Sequence, residues 1–465
     1  MTGFDIALAA AHGILLLLEA LAFGTLAVQA LAGNRPHGPL LKVAFWGLVI
    51  VGPIWIMLQA EEVTEAQGLS AVIAGTSLVL RETWVGHVIL WRIAAWLLAA
   101  LLLRGAPRLA LLPAGAALAL HGSSGHAAAS GDPVLLGSVL AHVLVAAAWI
   151  GGLPALWVAL KGPNPASLIR RYTWLGLGCV LVIAVTATIQ ARDLAGGLPG
   201  LVGTDYGHLL LVKIMLLSCL LVLAVRNQFV LAPRLAQGIS GLRRSVLIET
   251  VLGAATLLVA SVLSGLAPGA HQQPDWPFAM RPSFDVLTDP DLSSEVYDAI
   301  GALCGALLLL LLAVAARRVR WAAVATAAVI TWFAVPHLDL LLIPAEPTVF
   351  WSSTTGYTPQ SIAEGKAAFA ANCAACHGAT GHGDGPAAAG MRIPPADLTA
   401  PHLWEHPDGE LFWWISHGMA GPDGSQVMPG FAGTLDEDTR WALIDFIHAN
   451  NPNGQATAGG AHHHH

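Results

Sequence analysis

The sequence predicts an all-α protein: a polytopic transmembrane helix bundle of about ten spans, followed by a small all-α soluble domain. Three observations lead there. Of the 465 residues, 55% are hydrophobic and 11% charged, whereas a soluble domain carries about a quarter charged residues. Apolar runs of about 20 residues, the length a helix needs to cross a bilayer, recur through the first three quarters of the chain. The composition then changes at a Pro-, Ser- and Thr-rich stretch, "PAEPTVFWSSTTGYTPQ". The expected organisation is a membrane domain over 1–343, a linker over 344–360, a soluble domain over 361–455, and a tail over 456–465 whose final histidines read as a purification tag. The net charge of −7, with no basic face for a phosphate backbone, argues against a nucleic-acid partner. The lipid bilayer is the expected surrounding.

The predicted spans are 5–31, 42–60, 84–103, 108–126, 134–160, 172–190, 208–230, 245–266, 296–316 and 321–343. No cleavable signal peptide stands apart from the first of them. Basic residues orient the bundle, because Lys and Arg concentrate in cytoplasmic loops. Arg35 and Lys42, Arg104 and Arg108, Lys161 with Arg170 and Arg171, Arg226, Arg234, Arg243 and Arg244, and Arg317, Arg318 and Arg320 fall in alternate connections. The intervening loops hold only Arg81, Arg192 and Arg281 but many acids, Glu61, Glu62, Glu65, Asp193, Asp205, Asp275, Asp289 and Asp291. The expectation is a membrane protein whose amino terminus and soluble domain both face away from the cytoplasm.

That soluble domain contains "ANCAACHGATGHGDG". Cys373 and Cys376 would make two thioether links to a haem, and the adjacent His377 would be the proximal iron ligand. "SIAEGKAAFAANC" reads as an amphipathic helix entering the motif, and "LDEDTRWALIDFIHAN" has the apolar spacing of a closing helix. Between them, "QVMPGF" places Met428 before the rigid turn of Pro429. Residues 360–451 thus resemble a class I cytochrome c. The resemblance implies one covalent haem c with Met428 as distal ligand; Met419 is the competing methionine. A His–Met pair leaves no open coordination position, which implies electron transfer rather than catalysis at the iron. The other cysteines, Cys179, Cys219 and Cys304, sit singly in apolar runs and read as small buried filler.

Within the bundle, intramembrane ionisable residues are functional candidates. His12 lies about seven residues, roughly 10 Å, into the first predicted span. His87 starts the third, His121 and His126 close the fourth, His142 lies about eight residues into the fifth and His208 opens the seventh. With the orientation above, all fall in the outer half. Met57 lies at similar depth and could add a soft ligand for a cuprous ion, while imidazole suits copper in both oxidation states. These seven residues form the candidate metal set. The same pattern suits haem b: His12 and His142 sit at similar depth on different spans, and Trp55, Trp84, Trp91, Trp149 and Trp157 could line a macrocycle. Interfacial polar residues and helix-to-helix hydrogen bonds are the plainer readings of the histidines, and interfacial anchoring that of the tryptophans. Arg92 and Lys213 are also charged within lipid, with Glu19 and Glu249 as possible partners. His337 and Asp339 lie near the outer end of the last span.

"AHVLVAAAWIGGLPALW", "TDYGHLLLVKIMLL", "RNQFVLAPRL", "LRRSVLIETVLGAATLLVASVLSGLAPGAHQQPDWPF" and "SGHAAA" resemble the bacterial copper-resistance protein D family. The resemblance runs through most of 1–280 and is most specific over 130–280. It implies copper handling at the inner membrane, with a periplasmic copper carrier or a redox protein as partner. Three functions remain: copper handling with the haem c exchanging an electron with copper; electron transfer between quinol or another donor and haem c through a membrane haem b; and a tethered cytochrome serving another enzyme. A bundle rich in intramembrane histidines is excessive for a tether. Whether the chain is an enzyme stays open.

Overall fold

The computed structural model describes residues 3–33, 38–65, 68–123, 125–316 and 318–451. The chain divides into two compact units, Met1–Gln272 and Gln273–His465. The first contains α1 (Gly3–Ala32), α2 (Gly38–Thr64), α3 (Leu69–Glu82), α4 (Trp84–Leu102), α5 (Leu111–Gly122), α6 (His126–Ala129), α7 (Pro133–Trp149), α8 (Leu153–Ala159), α9 (Pro165–Leu194), α10 (Gly197–Gly203), α11 (Asp205–Arg226) and α12 (Ser240–Ser264). The second contains β1 (Met280–Pro282), α13 (Pro290–Ala315), α14 (Arg320–Ala334), β2 (Leu342–Pro344), α15 (Pro359–Asn372), α16 (Ala374–His377), α17 (Asp408–His417), β3 (Met419–Ala420), β4 (Gln426–Met428) and α18 (Glu437–Asn450).

Among the described residues, nine helices are long and apolar enough to cross a membrane. The predicted fourth span behaves differently. It is a 12-residue helix, α5, about 18 Å long, against a hydrocarbon core of about 30 Å. Its regular hydrogen bonding stops at the turn around Ser123, whose hydroxyl bonds the Leu120 carbonyl at 2.7 Å; helix resumes for one turn in α6. His121 therefore sits at the end of a short helix rather than on a continuous span. The stretch before the third predicted span is also helical: α3 ends at Thr83, whose hydroxyl accepts from the Gly86 N–H and caps α4.

In the first unit α1 is central, packing on α2, α5, α7, α8 and α12. Gly24 makes this possible. A Cβ there would run into the backbone of Gly151 and Gly152, the pair at the break between α7 and α8. Around that crossing Val28, Trp149, Ile150, Leu153 and Tyr172 form one core, while Ala20, Leu26, Trp96, Ala114 and Leu118 form another. Small residues bring helices together where lipid supplies no hydrophobic drive between them.

In the second unit α13 and α14 pair as a hairpin, and β1 joins β2 antiparallel, Met280 opposite Pro344. The expected linker is docked rather than free. Val349 is buried, the Thr348 hydroxyl donates to Gly409 O at 2.6 Å, and Thr355 donates to Asp445 at 2.6 Å. Gln273 exchanges two hydrogen bonds with Ser352, of 2.7 and 3.0 Å. Hydroxyls and aromatics that show no helical period in sequence here complete the surface of a folded domain. In that domain α15 crosses α18 where Gly365 meets the Ala442 carbonyl, too close for a Cβ. Phe369, Phe412, Trp441 and Phe446 form its core. α15 opens on a capping box at Thr358 and α18 on Asp436, which accepts from Thr439 N.

Candidate functional site

Two sites take shape, one in each unit. In the second, Cys373 closes α15 and Cys376–His377 form the one-turn helix α16. Gly378, at φ 77°, turns the chain out of that helix, and a side chain there would collide with Asp384. The His377 ring is oriented: Nδ1–H donates to the Ala396 carbonyl at 3.0 Å, which leaves Nε2 unprotonated for iron. Cys373 and Met428 both pack against the cluster built on Leu411, Phe412, Ile415 and Trp441. Met419 lies opposite Met428 in the β3–β4 pair and is 41% exposed. Cys373, Cys376, His377 and Met428 are the donor types that would hold a covalent haem c, the first two through thioether links and the last two at the iron. A haem held this way would supply one-electron chemistry, and the bond to the Ala396 carbonyl fixes the His377 ring. Nearby, Asp397 accepts from the Thr399 hydroxyl at 2.6 Å and from its N–H, and these bonds hold its carboxyl below the usual range. Burial and the neighbouring Cys376 push the unligated Cys373 thiol up to about 11. His382 lies 3.4 Å from Asp397, and His406 3.1 Å from Glu410.

In the first unit a cavity of about 740 Å³ opens among α1, α2, α4, α5, α7, α9, α11 and α12. At one end the Nε2 atoms of His12 and His121 are 3.0 Å apart and their rings lie parallel, 2° from coplanar. The pair sits about 14 Å from the start of α1 and about 15 Å from the start of α5. Arg92, 5% exposed, donates to Glu19 Oε1 at 2.8 Å and to His121 Nδ1 at 2.5 Å. Trp96 Nε1–H also donates to Glu19, at 3.0 Å. The donors fix a direction along the chain of bonds. Arg92 has only protons to give, so His121 Nδ1 accepts and its Nε2–H points at His12 Nε2. His12 Nδ1–H then faces Ser261 Oγ at 3.4 Å, and that hydroxyl donates to Ala9 O. Trp55 stacks on His12, ring centroids 5.8 Å apart.

His142 lines the same cavity from α7. The Thr186 hydroxyl donates to Val182 O at 2.7 Å and accepts from His142 Nδ1–H at 2.9 Å, leaving the imidazole Nε2 unprotonated. The other candidates lie apart. His87 is exposed beside Trp91, His208 is exposed and donates to Val202 O at 2.8 Å, and Met57 is half-buried on α2 without lining the cavity. The His126 side chain lies outside the described residues. Among the described residues no three or more His, Cys, Asp or Glu side chains group as metal ligands. Glu19 does pair with Arg92; Glu249 instead accepts from Asn227. Thr186, Gln190, Ser261 and Trp96 escaped the sequence reading. The signal for the first two was present, as polar residues four apart on one face of an apolar helix.

Fold and sites together define a polytopic membrane protein that carries a c-type cytochrome domain. The family comparison makes this particular. Residues 2–135 match the copper resistance protein D-like N-terminal domain, 166–263 match copper resistance protein D, and 360–447 match the cbb3-type cytochrome c oxidase subunit III. The membrane region is of the copper resistance protein D type, and the C-terminal domain is a cytochrome c. The chain is 27% identical over 253 residues to the inner membrane protein YebZ of Escherichia coli, covering 49% of this chain and 87% of that protein. No solved structure matches it.

Proposed function

We propose that this protein handles copper at the bacterial inner membrane, binding it between His12 and His121, and that its haem c passes electrons to or from that copper. The observation that carries this reading is the 3.0 Å approach of two imidazole nitrogens inside a membrane-embedded cavity. Two imidazoles and no carboxylate ligand suit a cuprous ion, which accepts low coordination, better than zinc, which takes four ligands. Arg92 and Glu19 hold His121 and balance each other's charge, so the pair is presented without a net local charge. Alternating basic connections, with α5 and α6 together making the fourth crossing, support an outward amino terminus and a periplasmic cytochrome domain, with a periplasmic copper carrier or redox protein as partner.

A second reading has its own observation. His142 is oriented through Thr186 and shares the cavity with His12, which suits a haem b held by those two side chains; the protein would then pass electrons from a membrane donor to haem c. One experiment separates the readings. Metal analysis and a reduced-minus-oxidised spectrum are recorded for the purified protein and for His12→Ala, His121→Ala and His142→Ala. Copper lost in the first two variants, with c-type bands alone throughout, supports copper at the pair. A b-type band lost with His142→Ala overturns it in favour of the second reading. Copper stoichiometry indifferent to both His12 and His121 removes the site assignment.

A further inference from the structure

The chamber has a second polar end, which neither copper at His12 and His121 nor the cytochrome uses. Gln190 lies one helical turn beyond Thr186 on α9, and Thr186 holds His142. Lys213, from α11, lies within electrostatic reach of His142. Lys213 and Gln190 both line the cavity. Among the described residues Lys213 forms no ion pair. Glu62, the acid among the cavity's lining residues, accepts from Gln59 Nε2 at 3.1 Å. Gln190 Nε2 is buried with no hydrogen-bond partner among the described residues.

An ammonium and an unpartnered amide N–H at bilayer depth are unfavourable until an acceptor reaches them. We propose that this end of the chamber binds the carboxylate of an amphipathic ligand. Lys213 Nζ and Gln190 Nε2 donate to its two oxygens, and Ile183, Leu210, Ile214 and Leu217, which line the same cavity, receive its apolar body. One cation and one neutral donor match a carboxylate's single charge and two oxygens. A phosphate would bring a further oxygen and further charge with no partner for either. Two sources share this chemistry, the propionate of a porphyrin and the headgroup of a fatty acid. The site stands on Lys213 and Gln190, whatever His12 and His121 bind.

The test uses the purified full-length protein in detergent, titrated calorimetrically with haemin and its dimethyl ester, and with decanoate and methyl decanoate. One acid is expected to bind saturably, with its ester at least about tenfold weaker, since a charge-assisted hydrogen bond is lost. Lys213→Met and Gln190→Leu lower the affinity for that acid, Lys213→Arg retains it, and Lys213→Met leaves copper stoichiometry unchanged. Saturable haemin binding identifies a porphyrin as the source, and saturable decanoate binding a lipid acid. Equal binding of acid and ester by the unaltered protein overturns the proposal, as does the absence of saturable binding by either acid. Should Lys213→Met fail to fold, the ester comparison and Lys213→Arg still decide.

Discussion

Arg92 reaches across from α4 to Glu19 on α1 at 2.8 Å, and the same guanidinium holds His121. Both charges are almost fully buried, with side-chain exposures of 6% and 2%. Glu19→Ala would leave Arg92 unpaired in the bundle, and breaking a buried pair this way costs about 3–5 kcal/mol. The variant is expected to unfold at markedly lower temperature in detergent. Glu19→Gln, which keeps the acceptor for Arg92 and Trp96, is expected to fall between the two. Unfolding temperatures followed by circular dichroism check the order.

Met428 and Met419 face each other across a two-strand pair, yet only Met428 packs with Cys373 on the domain core. Met428→Ala is expected to lower the haem reduction potential and open a coordination position, because the thioether is what raises the potential. Met419→Ala is expected to change neither. Redox titration and ligand binding to the reduced haem provide the check.

Gly365 sits where a Cβ would strike the Ala442 carbonyl. Gly365→Val forces α15 off α18, at a cost of about 1–3 kcal/mol or more. A reduced yield of haem-loaded protein and an earlier thermal transition of the cytochrome domain are expected; unchanged yield and melting would contradict the crossing geometry.

Asp436 accepts from the Thr439 side chain and N–H, and these bonds lower its pKa below the ordinary 3.8. The sign follows from linkage: the folded state favours the ionised form, so its contribution is present above about pH 4 and lost as pH falls through the depressed folded value. Acid unfolding of the cytochrome domain is expected to be less steep in Asp436→Asn, which keeps the cap of α18 but does not titrate. Stability measured from pH 6 to pH 2 tests this.

Span-forming helices and the haem motif were legible because their signals are local. A run of apolar residues and a five-residue Cys–His motif need no knowledge of what lies opposite. Pairing was not legible. His87, His142 and His208 carry the same local signal, yet His87 is exposed, His208 donates to Val202 O, and His142 is held by Thr186. Among the described residues only His12 and His121 of the candidate histidines meet, 109 residues apart in the chain.

What the sequence by itself determined is the class: apolar length and loop charge set a membrane bundle, and Cys373, Cys376, His377 and Met428 set a cytochrome c. Tertiary structure alone decided that α5 stops short, that the stretch from 348 to 355 docks on the cytochrome, and that one chamber collects His12, His121, His142 and Lys213. The physical reason is range. Helix propensity and hydropathy act over one or two turns, whereas a buried charge finds its partner through helix packing, which depends on contacts such as that of Gly24 with Gly151.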